Sequence, residues 1–594
     1  MSEIIVGIDL GTTNSEVAVV RDGRVEVISV SDGVRILPSM VGLADDGSLL
    51  VGMAARNQYL LRPENTIRSI KRRMGEAMQV KLGDKDYKPQ EISAMILRRL
   101  KQVAEAHLGQ TVGKAVITVP AFFSDAQRQA TREAGEIAGL EVVRVINEPT
   151  AAALAYETGH QGARKVLVYD LGGGTFDVSV VNLEGDVVEV LASHGNNHLG
   201  GDDFDQRIVD FALDYLKTEK GAEAAEAVRQ SPIAMARLQR AAETTKIALS
   251  DRPYAMIAEE YLLQYQGEPL HLSVELSRHQ YEEMIEPFIA ETLNATHIAL
   301  SGAHLTVSDI DEVLLVGGAT RTPLVSTRLE AALGMMPRGE LDPDLCVAMG
   351  AAVQAGLING EQTSRVLVDV TPYTFGTSAL GMMNGEEYGY CFVPLIRKNT
   401  PIPVSKSEVF YTVYDGQKSV DIGVYQGEDP DALNNIEIGK FMFEGLRDNT
   451  PAGNPMVTTF ALDLDGILHV TTREKETGLE CSITISNALA RMENDQLETA
   501  RERVRALFGE QASAGVGGEG AGEDNGDAGL RRLKVEALAL VEQAGRLLQT
   551  AGQEDSEDLV NGIEAVRDAL TQDDEVVLRM TMGSLADLIY YLEG

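Results

Sequence analysis

Two stretches of this 594-residue chain repeat one pattern: residues 4–15 read IIVGIDLGTTNS and residues 165–180 read KVLVYDLGGGTFDVSV. Each is an apolar run, an Asp-Leu-Gly triplet, a Thr-bearing glycine turn and a second apolar run. Such runs interrupted by glycine predict strand, tight turn, strand in both places. The first strand of each copy delivers a carboxylate to its end, Asp9 in one and Asp170 in the other. Gly11, and Gly172, Gly173 and Gly174 in the second copy, let backbone N–H groups approach an anion closely. Thr12, Thr13 and Thr175 add hydroxyl donors, and carboxylates so placed hold Mg2+ through water. Two such turns facing each other would clamp a nucleoside triphosphate, which predicts a two-lobed ATP-handling unit.

The texture of the chain changes twice. Up to about Gly360, strand-like runs alternate with amphipathic helices, as in an α/β domain. From Thr371 to Asn487, short runs of Val, Ile, Thr, Tyr and Phe are punctuated by Asp415-Gly416 and Asp465-Gly466. These predict an antiparallel β-domain of about 7–8 strands. After Ala488 the spacing is helical, then a Gly/Ala/Glu/Asp tract over 509–529 has too little apolar matter to form a core. Its GxGxxG at 515–520 follows no strand and is not read as a dinucleotide turn. Helical spacing returns from Leu530 to Leu592, with Leu533, Leu540, Val541, Leu547 and Leu548 on an apolar stripe. The expected division is therefore 1–363, a linker at 364–370, 371–487 and a helical lid at 488–594. The segment SRVLVD from Ser364 to Asp369 is apolar where a passive linker is polar. It reads either as the first strand of the β-domain or as a linker that docks on the ATP unit in one state and is released in another.

With 52 Lys+Arg against 90 Asp+Glu, the net charge is -38. That lacks the basic footprint a nucleic-acid partner needs. Cys346, Cys391 and Cys481 form no CxxC and suit a reducing compartment. There is no recognisable leader and no apolar run of about 20 residues, so a cytoplasmic protein without a membrane span is expected. The chain has no HExxH, GxSxG or Walker A pattern, which argues against zinc-protease, serine-hydrolase and P-loop chemistry.

Seven stretches, in this order, resemble the DnaK-type heat-shock chaperones, whose ATPase fold is shared with actin and sugar kinases. They are residues 8–15 (IDLGTTNS), 116–121 (VITVPA), 146–153 (INEPTAAA), 169–177 (YDLGGGTFD), 199–205 (LGGDDFD), 316–321 (VGGATR) and 347–352 (VAMGAA). The resemblance covers roughly Met1 to Asn487. It implies an actin-like two-lobed ATPase domain, an antiparallel β-sandwich that binds peptide, and an α-helical lid. It further implies that Asp9, Glu148 and Asp170 surround Mg2+ and the attacking water, and that Thr12, Thr13, Asn14 and Thr175 contact phosphate. Lys71 corresponds to the lysine beside the γ-phosphate, where a cation stabilises the transferring phosphoryl group. Gly200, Gly201 and Asp202 belong to the nucleotide site, and Glu243, Lys246, Ser250, Gly317, Gly318, Arg321 and Asp344 fall where the family holds adenosine. Ile247 departs from the arginine that many members stack on adenine, so a cation–π contact is lost.

The resemblance also implies coupling. Pro120, Arg128 and Asp369 match the switch proline, switch arginine and linker aspartate, while Arg144 and Asn147 lie where J-domain cochaperones dock. Phe410, Val420, Ile422 and Met456 resemble the walls of a peptide pocket, with Leu380 and Val413 at the arch over the peptide. Between Gly75 and Pro89 the chain is shorter than in typical members, as in the bacterial HscC branch, so dependence on a GrpE-type exchange factor is doubtful. The expected function is an ATP-dependent chaperone of the bacterial cytoplasm that binds extended apolar peptides. The alternatives are a small-molecule kinase, an actin-like filament ATPase or a non-hydrolysing regulator of the same fold.

Overall fold

The computed structural model describes residues 4–31, 33–156, 162–185, 187–338, 342–360, 366–447, 450–485, 492 and 494–509. Near the C-terminus it describes residues 534, 537, 540, 541, 544, 553–572 and 575–593. The two repeated stretches each open a six-stranded sheet. In the first, β1 (Ile5–Leu10), β2 (Asn14–Arg21) and β3 (Arg24–Val27) form an antiparallel meander. Then β4 (Lys114–Val119) and β5 (Glu141–Asn147) add in parallel on the β1 side. The second sheet repeats the scheme: β6 (Arg164–Leu171), β7 (Phe176–Glu184) and β8 (Val187–Asn196) form the meander, and β9 (Glu312–Val316) lies parallel to β6. These strands are covered on both faces, so they read as near-continuous apolar runs.

One apolar cluster joins the two lobes. It takes Ile5, Val116 and Ile146 from the first sheet and Val168, Val190 and Val316 from the second, with Ala151–Ala155 and Ala351 from helices between them. Those helices, Glu148–Tyr156 and Cys346–Ile358, cross so closely that glycine is required. A Cβ on Gly350 would stand 1.6 Å from the Ala151 carbonyl oxygen, and one on Gly7 2.1 Å from the Ala352 nitrogen.

Beyond the lobes, two four-stranded antiparallel sheets share one core. Phe375, Ile396 and Val424 of one pack with Phe460, Leu468 and Val470 of the other. Residues 364 and 365 lie outside the described residues, but Val366–Val370 forms strand β10. It pairs in parallel with β8 of the second lobe (Val187↔Val366, Val188↔Leu367, Glu189↔Val368). Its last two residues, Asp369 and Val370, pair antiparallel with Pro401 and Ile402 of the β region. The segment with two open readings is thus a strand of the ATP unit's sheet that also carries the first pairing of the β region.

The helix Asn494–Leu507 packs on the first lobe, where Ala500 and Val504 join that lobe's core. Arg501 donates to the Glu136 carbonyl at 3.1 and 2.9 Å, and Arg503 pairs with Glu91 and lies 5.2 Å over the Tyr87 ring. Tyr87 ends the short hairpin Val80–Leu82 and Lys85–Tyr87, which occupies the abbreviated 75–89 region. The helices Gln553–Gln572 and Glu575–Glu593 pack with Ala537, Leu540, Val541 and Ala544. Leu530, Leu533, Leu547, Leu548 and the 510–529 part of the acidic tract lie outside the described residues. Among those described, no helix is long and apolar enough to cross a membrane.

Candidate functional site

The two glycine turns face each other at the seam between the lobes. A Cβ on Gly173 would lie 1.9 Å from Thr13 Oγ1, one on Gly174 2.5 Å from Thr12 Cγ2, and one on Gly200 2.6 Å from the Gly173 backbone. The first turn is pinned by Ser39, whose hydroxyl donates to the Gly11 carbonyl at 2.8 Å and whose N–H donates to Thr13 at 2.8 Å. The second is pinned to the start of the helix Gly201–Lys220: Gly201 N–H donates to the Gly172 carbonyl at 2.9 Å and Asp202 N–H to Gly173 at 2.7 Å. A helix N-terminus beside a glycine turn favours an anion.

Between the turns opens a cleft of about 80 Å3, lined by Asp9, Gly11, Thr12, Thr13, Asn14, Lys71, Glu148, Asp170, Gly172, Gly173, Thr175, Gly317, Gly318 and Asp344, and by Glu16. Lys71 is buried and ion-paired with Glu148. Asp9 accepts from Thr118 Oγ1 at 2.8 Å. Burial, reinforced by the Glu148 charge, pushes the Asp9 carboxyl up to about 7 and holds that of Asp170 well above the usual carboxylate range. Five lining carboxylates (Asp9, Glu16, Glu148, Asp170 and Asp344) thus stand against one lining lysine. Such a set calls for added positive charge. Among the described residues no three His, Cys, Asp or Glu side chains converge closely enough to ligate a metal directly. The donor set therefore fits Mg2+, which keeps several of its waters.

The residues expected around adenosine are more scattered. Gly317, at φ +82°, brings its backbone against Leu171, where a Cβ would meet the carbonyl oxygen at 2.4 Å. Arg321 pairs with Asp342 at 2.7 Å and Asp344 at 2.9 Å. Glu243 pairs with Arg56 of the opposite lobe at 2.9 Å and lines a second, larger cleft that shares Thr12, Thr13 and Asn14 with the first. Asp202 bridges the lobes, accepting from Ser69 at 2.7 Å and Arg68 at 3.2 Å. Lys246 reaches the Gly201 carbonyl at 3.1 Å and Asp205 at 2.9 Å. Ser250 and Lys246 line neither cleft; the Ser250 carbonyl accepts from Arg278 at 3.2 Å. Ile247 is 58% exposed.

The residues expected to couple the lobes to the β region gather at the seam between the lobes, β10 and the β region. Arg128 donates to the carbonyls of Ala121 at 3.0 Å and Phe123 at 3.2 Å and to Asn147 Oδ1 at 2.6 Å. Asn147 Nδ2 in turn donates to Asp369 Oδ2 at 2.8 Å, which also accepts from Thr150 at 3.2 Å. Pro120 opens the turn that carries these carbonyls: its own carbonyl accepts from Phe123 N–H at 3.1 Å. Arg144 and Asn147 are both buried, so in this state neither side chain offers a surface to a docking protein.

Among the peptide residues, Phe410 pairs with Met456 in register, and Ile422 and Met456 are buried with Phe443 and Leu446, with Val420 against them. Leu380 and Val413 are 50% and 57% exposed.

Sequence reasoning missed a buried contact between the β region and the first lobe. Asp465 is buried, ion-paired with Arg132, and accepts the Val145 N–H at 3.0 Å; nearby, Leu468 N–H donates to Asp125 at 3.3 Å. Asp465-Gly466 had only the signal of a hairpin turn. Glu16 and Asp177, two more buried carboxylates, were also missed; their strands read simply as apolar.

Comparison with known proteins accords with this geometry. The model of the family described as "Hsp70 protein" matches residues 5–82 and 76–575. The chaperone protein DnaK of Thermotoga neapolitana is 47% identical over 501 residues, 83% of this chain and 82% of its own. That of Thermosipho africanus is 47% identical over 500 residues (83% and 81%), and that of Thermotoga maritima over 492 (82% and 80%). Similarity of this extent, spanning the paired glycine turns, the linker strand and the β region alike, makes the chain a member of the Hsp70 family.

Proposed function

We infer that this protein is an ATP-dependent molecular chaperone: an ATPase that binds extended apolar segments of unfolded proteins and changes its grip on them with the nucleotide it holds. The observation that carries this reading is strand β10. One segment completes the sheet of a nucleotide-type lobe and, through Asp369, bonds to the residue next to Glu148. Occupancy of the cleft and release of the β region are thereby tied together.

In this reading the triphosphate lies between the two turns, with Gly11, Thr12, Thr13 and Asn14 on one side and Gly172, Gly173, Gly174 and Thr175 on the other. Asp9 and Asp170 would hold Mg2+ through water, and the ion would supply charge neutralisation of the phosphates. Lys71 directs its ammonium at the γ-phosphate and meanwhile fixes the Glu148 carboxylate, which orients the attacking water. Catalysis is then positioning and electrostatics rather than strong-base chemistry. Gly317, Gly318 and Asp344 flank the nucleoside end, with Glu243, Lys246, Ser250 and Arg321 around it.

The β region, 371–487, would take the peptide as an added strand, with one apolar side chain entering the pocket of Phe410, Val420, Ile422 and Met456 under Leu380 and Val413. Residues 1–363 form the ATPase part and 488–594 the lid. A J-domain protein is the expected cochaperone; the abbreviated hairpin at 75–89 supports independence from a GrpE-type exchange factor. A several-fold rise in ADP release on adding GrpE would overturn that independence. A small-molecule kinase or an actin-like filament would leave the β region and its seam without a use.

The test is single-turnover ATP hydrolysis with and without a Leu-rich heptapeptide, with Lys71→Ala as the control. Stimulation by peptide that disappears in the variant supports the cycle; hydrolysis indifferent to every apolar peptide and to a J-domain protein sinks it.

A further inference from the structure

Glu16 has no part in the reading above, yet it stands in the same cleft. In the antiparallel pair of β1 and β2 it lies directly opposite Asp9, so the two carboxylates leave the sheet on one face. Its neighbour Ser15 points the other way and bonds Ser39 at 2.8 Å. The Glu16 side chain is 2% exposed, its Oε1 has no hydrogen-bond partner among the described residues, and it lines the wall of the cleft beside Asp9, Lys71 and Asp344. The Thr13 hydroxyl, on the β1–β2 turn and lining the same cleft, is likewise buried without a partner among the described residues.

A buried carboxylate with no donor is costly unless it gains a proton or a cation. Apart from Lys71, the charged residues that line this cleft with Glu16 are all acids: Asp9, Glu148, Asp170 and Asp344. Lys71 is already engaged by Glu148, and Arg321 by Asp342 and Asp344. Among the described residues, no cationic side chain other than Lys71 lines the cleft.

We propose that Glu16 and Asp9, opposite one another across the β1–β2 pair, make this cleft a site for a hard divalent cation that binds before any nucleotide arrives. The cation is held largely through its own waters, because the described carboxylates do not converge into a direct three-ligand cage. A hard, strongly hydrated ion suits a site of carboxylates and hydroxyls. The proposal rests on the reading of this cleft as the nucleotide site, and it adds an ion that waits there in the empty protein.

The experiment is a Mn2+ titration of the full-length chain, stripped of nucleotide, followed by the loss of the free-Mn2+ electron paramagnetic resonance signal. The wild-type chain is expected to retain one Mn2+ per molecule, and Glu16→Gln, which keeps shape and removes charge, to bind it at least tenfold more weakly. Glu16→Asp, which keeps the charge on a shorter arm, is expected to fall between them and serves if the Gln variant does not fold. ADP binding in the presence of Mg2+ is the control that the cleft is intact; wild-type chain that fails to bind ADP there sinks the nucleotide reading but leaves the Mn2+ result readable. No retained Mn2+ without nucleotide, or equal affinity in wild type and the variant that folds, overturns the proposal.

Discussion

Asn147 Nδ2 donates to Asp369 Oδ2 at 2.8 Å, while Asn147 Oδ1 accepts from Arg128 Nη2 at 2.6 Å. One buried amide therefore bonds Asp369 of strand β10 on one side and Arg128 on the other, and the next residue in the chain is Glu148, the partner of Lys71. Asn147→Ala removes both bonds and leaves Asp369 to the Thr150 hydroxyl and the Val370 N–H. Losing a buried hydrogen bond and stranding a charged partner costs about 1–3 kcal/mol, taken from the docked state alone. The expected result is hydrolysis that no longer responds to peptide, with ATP affinity close to that of the wild type. Single-turnover hydrolysis with and without peptide checks it; intact stimulation in the variant would show that the amide is a packing element only.

Asp465 ties the β region to the first lobe at a second point, two residues along β5 from Asn147. Its carboxylate takes Arg132 and the Val145 N–H together, and it is buried. Breaking one partner of a buried ion pair costs roughly 3–5 kcal/mol. Asp465→Ala should therefore release the β region even when ATP is bound, so that ATP no longer accelerates peptide dissociation. Asp465→Asn keeps an acceptor for Val145 and should be intermediate. Fluorescent-peptide release in ATP measures both; ATP acceleration equal to the wild type's in the Ala variant would remove Asp465 from the coupling.

The contrast between these two contacts explains what the chain discloses by itself. The duplicated Asp-Leu-Gly turns were legible because a strand, its carboxylate and its glycines lie within a dozen residues, and local sterics demand each of them. The fate of Val366–Val370 was ambiguous because an apolar strand can add to either of two sheets; it adds to one and also pairs with the other. Asp465 was opaque because its partner Arg132 lies 333 residues away, and a hairpin aspartate looks the same whether or not a guanidinium meets it. Met456 shows another limit. Alternation tells that it faces inward, but not whether inward means a ligand pocket or the cluster with Phe443 and Leu446 in which it lies here.

His194 on β8 predicts a pH response of the docked state. Lys398 of the β region places its ammonium 3.3 Å from Nδ1, so Nδ1 accepts and the ring is neutral. The Phe122 ring meets the imidazole edge-on at 5.1 Å, and Tyr373 covers Phe122 at 4.8 Å. Burial, then the Lys398 charge, push His194 from 6.5 down to about 4. The sign follows: the undocked imidazole takes up a proton below about pH 6.5 and the docked one does not, so docking weakens as pH falls from there toward about 4 and is unaffected above about 7. Peptide-stimulated hydrolysis compared between wild type and His194→Asn over about pH 5.5–8 should separate the two on the acid side only. Superimposable profiles would rule the histidine out.

The helix Asn494–Leu507 is held on the first lobe by a contact that permits a sharper test of the lid. Arg503 pairs with Glu91 while its guanidinium lies over Tyr87, and Glu91 at the same time caps the Lys88 N–H at 2.8 Å. Glu91 is buried and Arg503 is about one-third exposed, so solvent screens part of the pair and its loss costs about 1–2 kcal/mol, less than that of a fully buried ion pair. Arg503→Ala should shift the helix off the lobe and slow ATP-induced peptide release by roughly tenfold, the factor that about 1.4 kcal/mol represents. Arg503→Lys keeps the charge but loses the planar stacking on Tyr87, so it should recover only part of the rate. Tyr87→Leu, which leaves the ion pair in place, should match the Lys variant if stacking carries the difference. Release rates in ATP for the three variants decide it, and three rates equal to the wild type's would mean that the helix sits on the lobe without controlling the peptide.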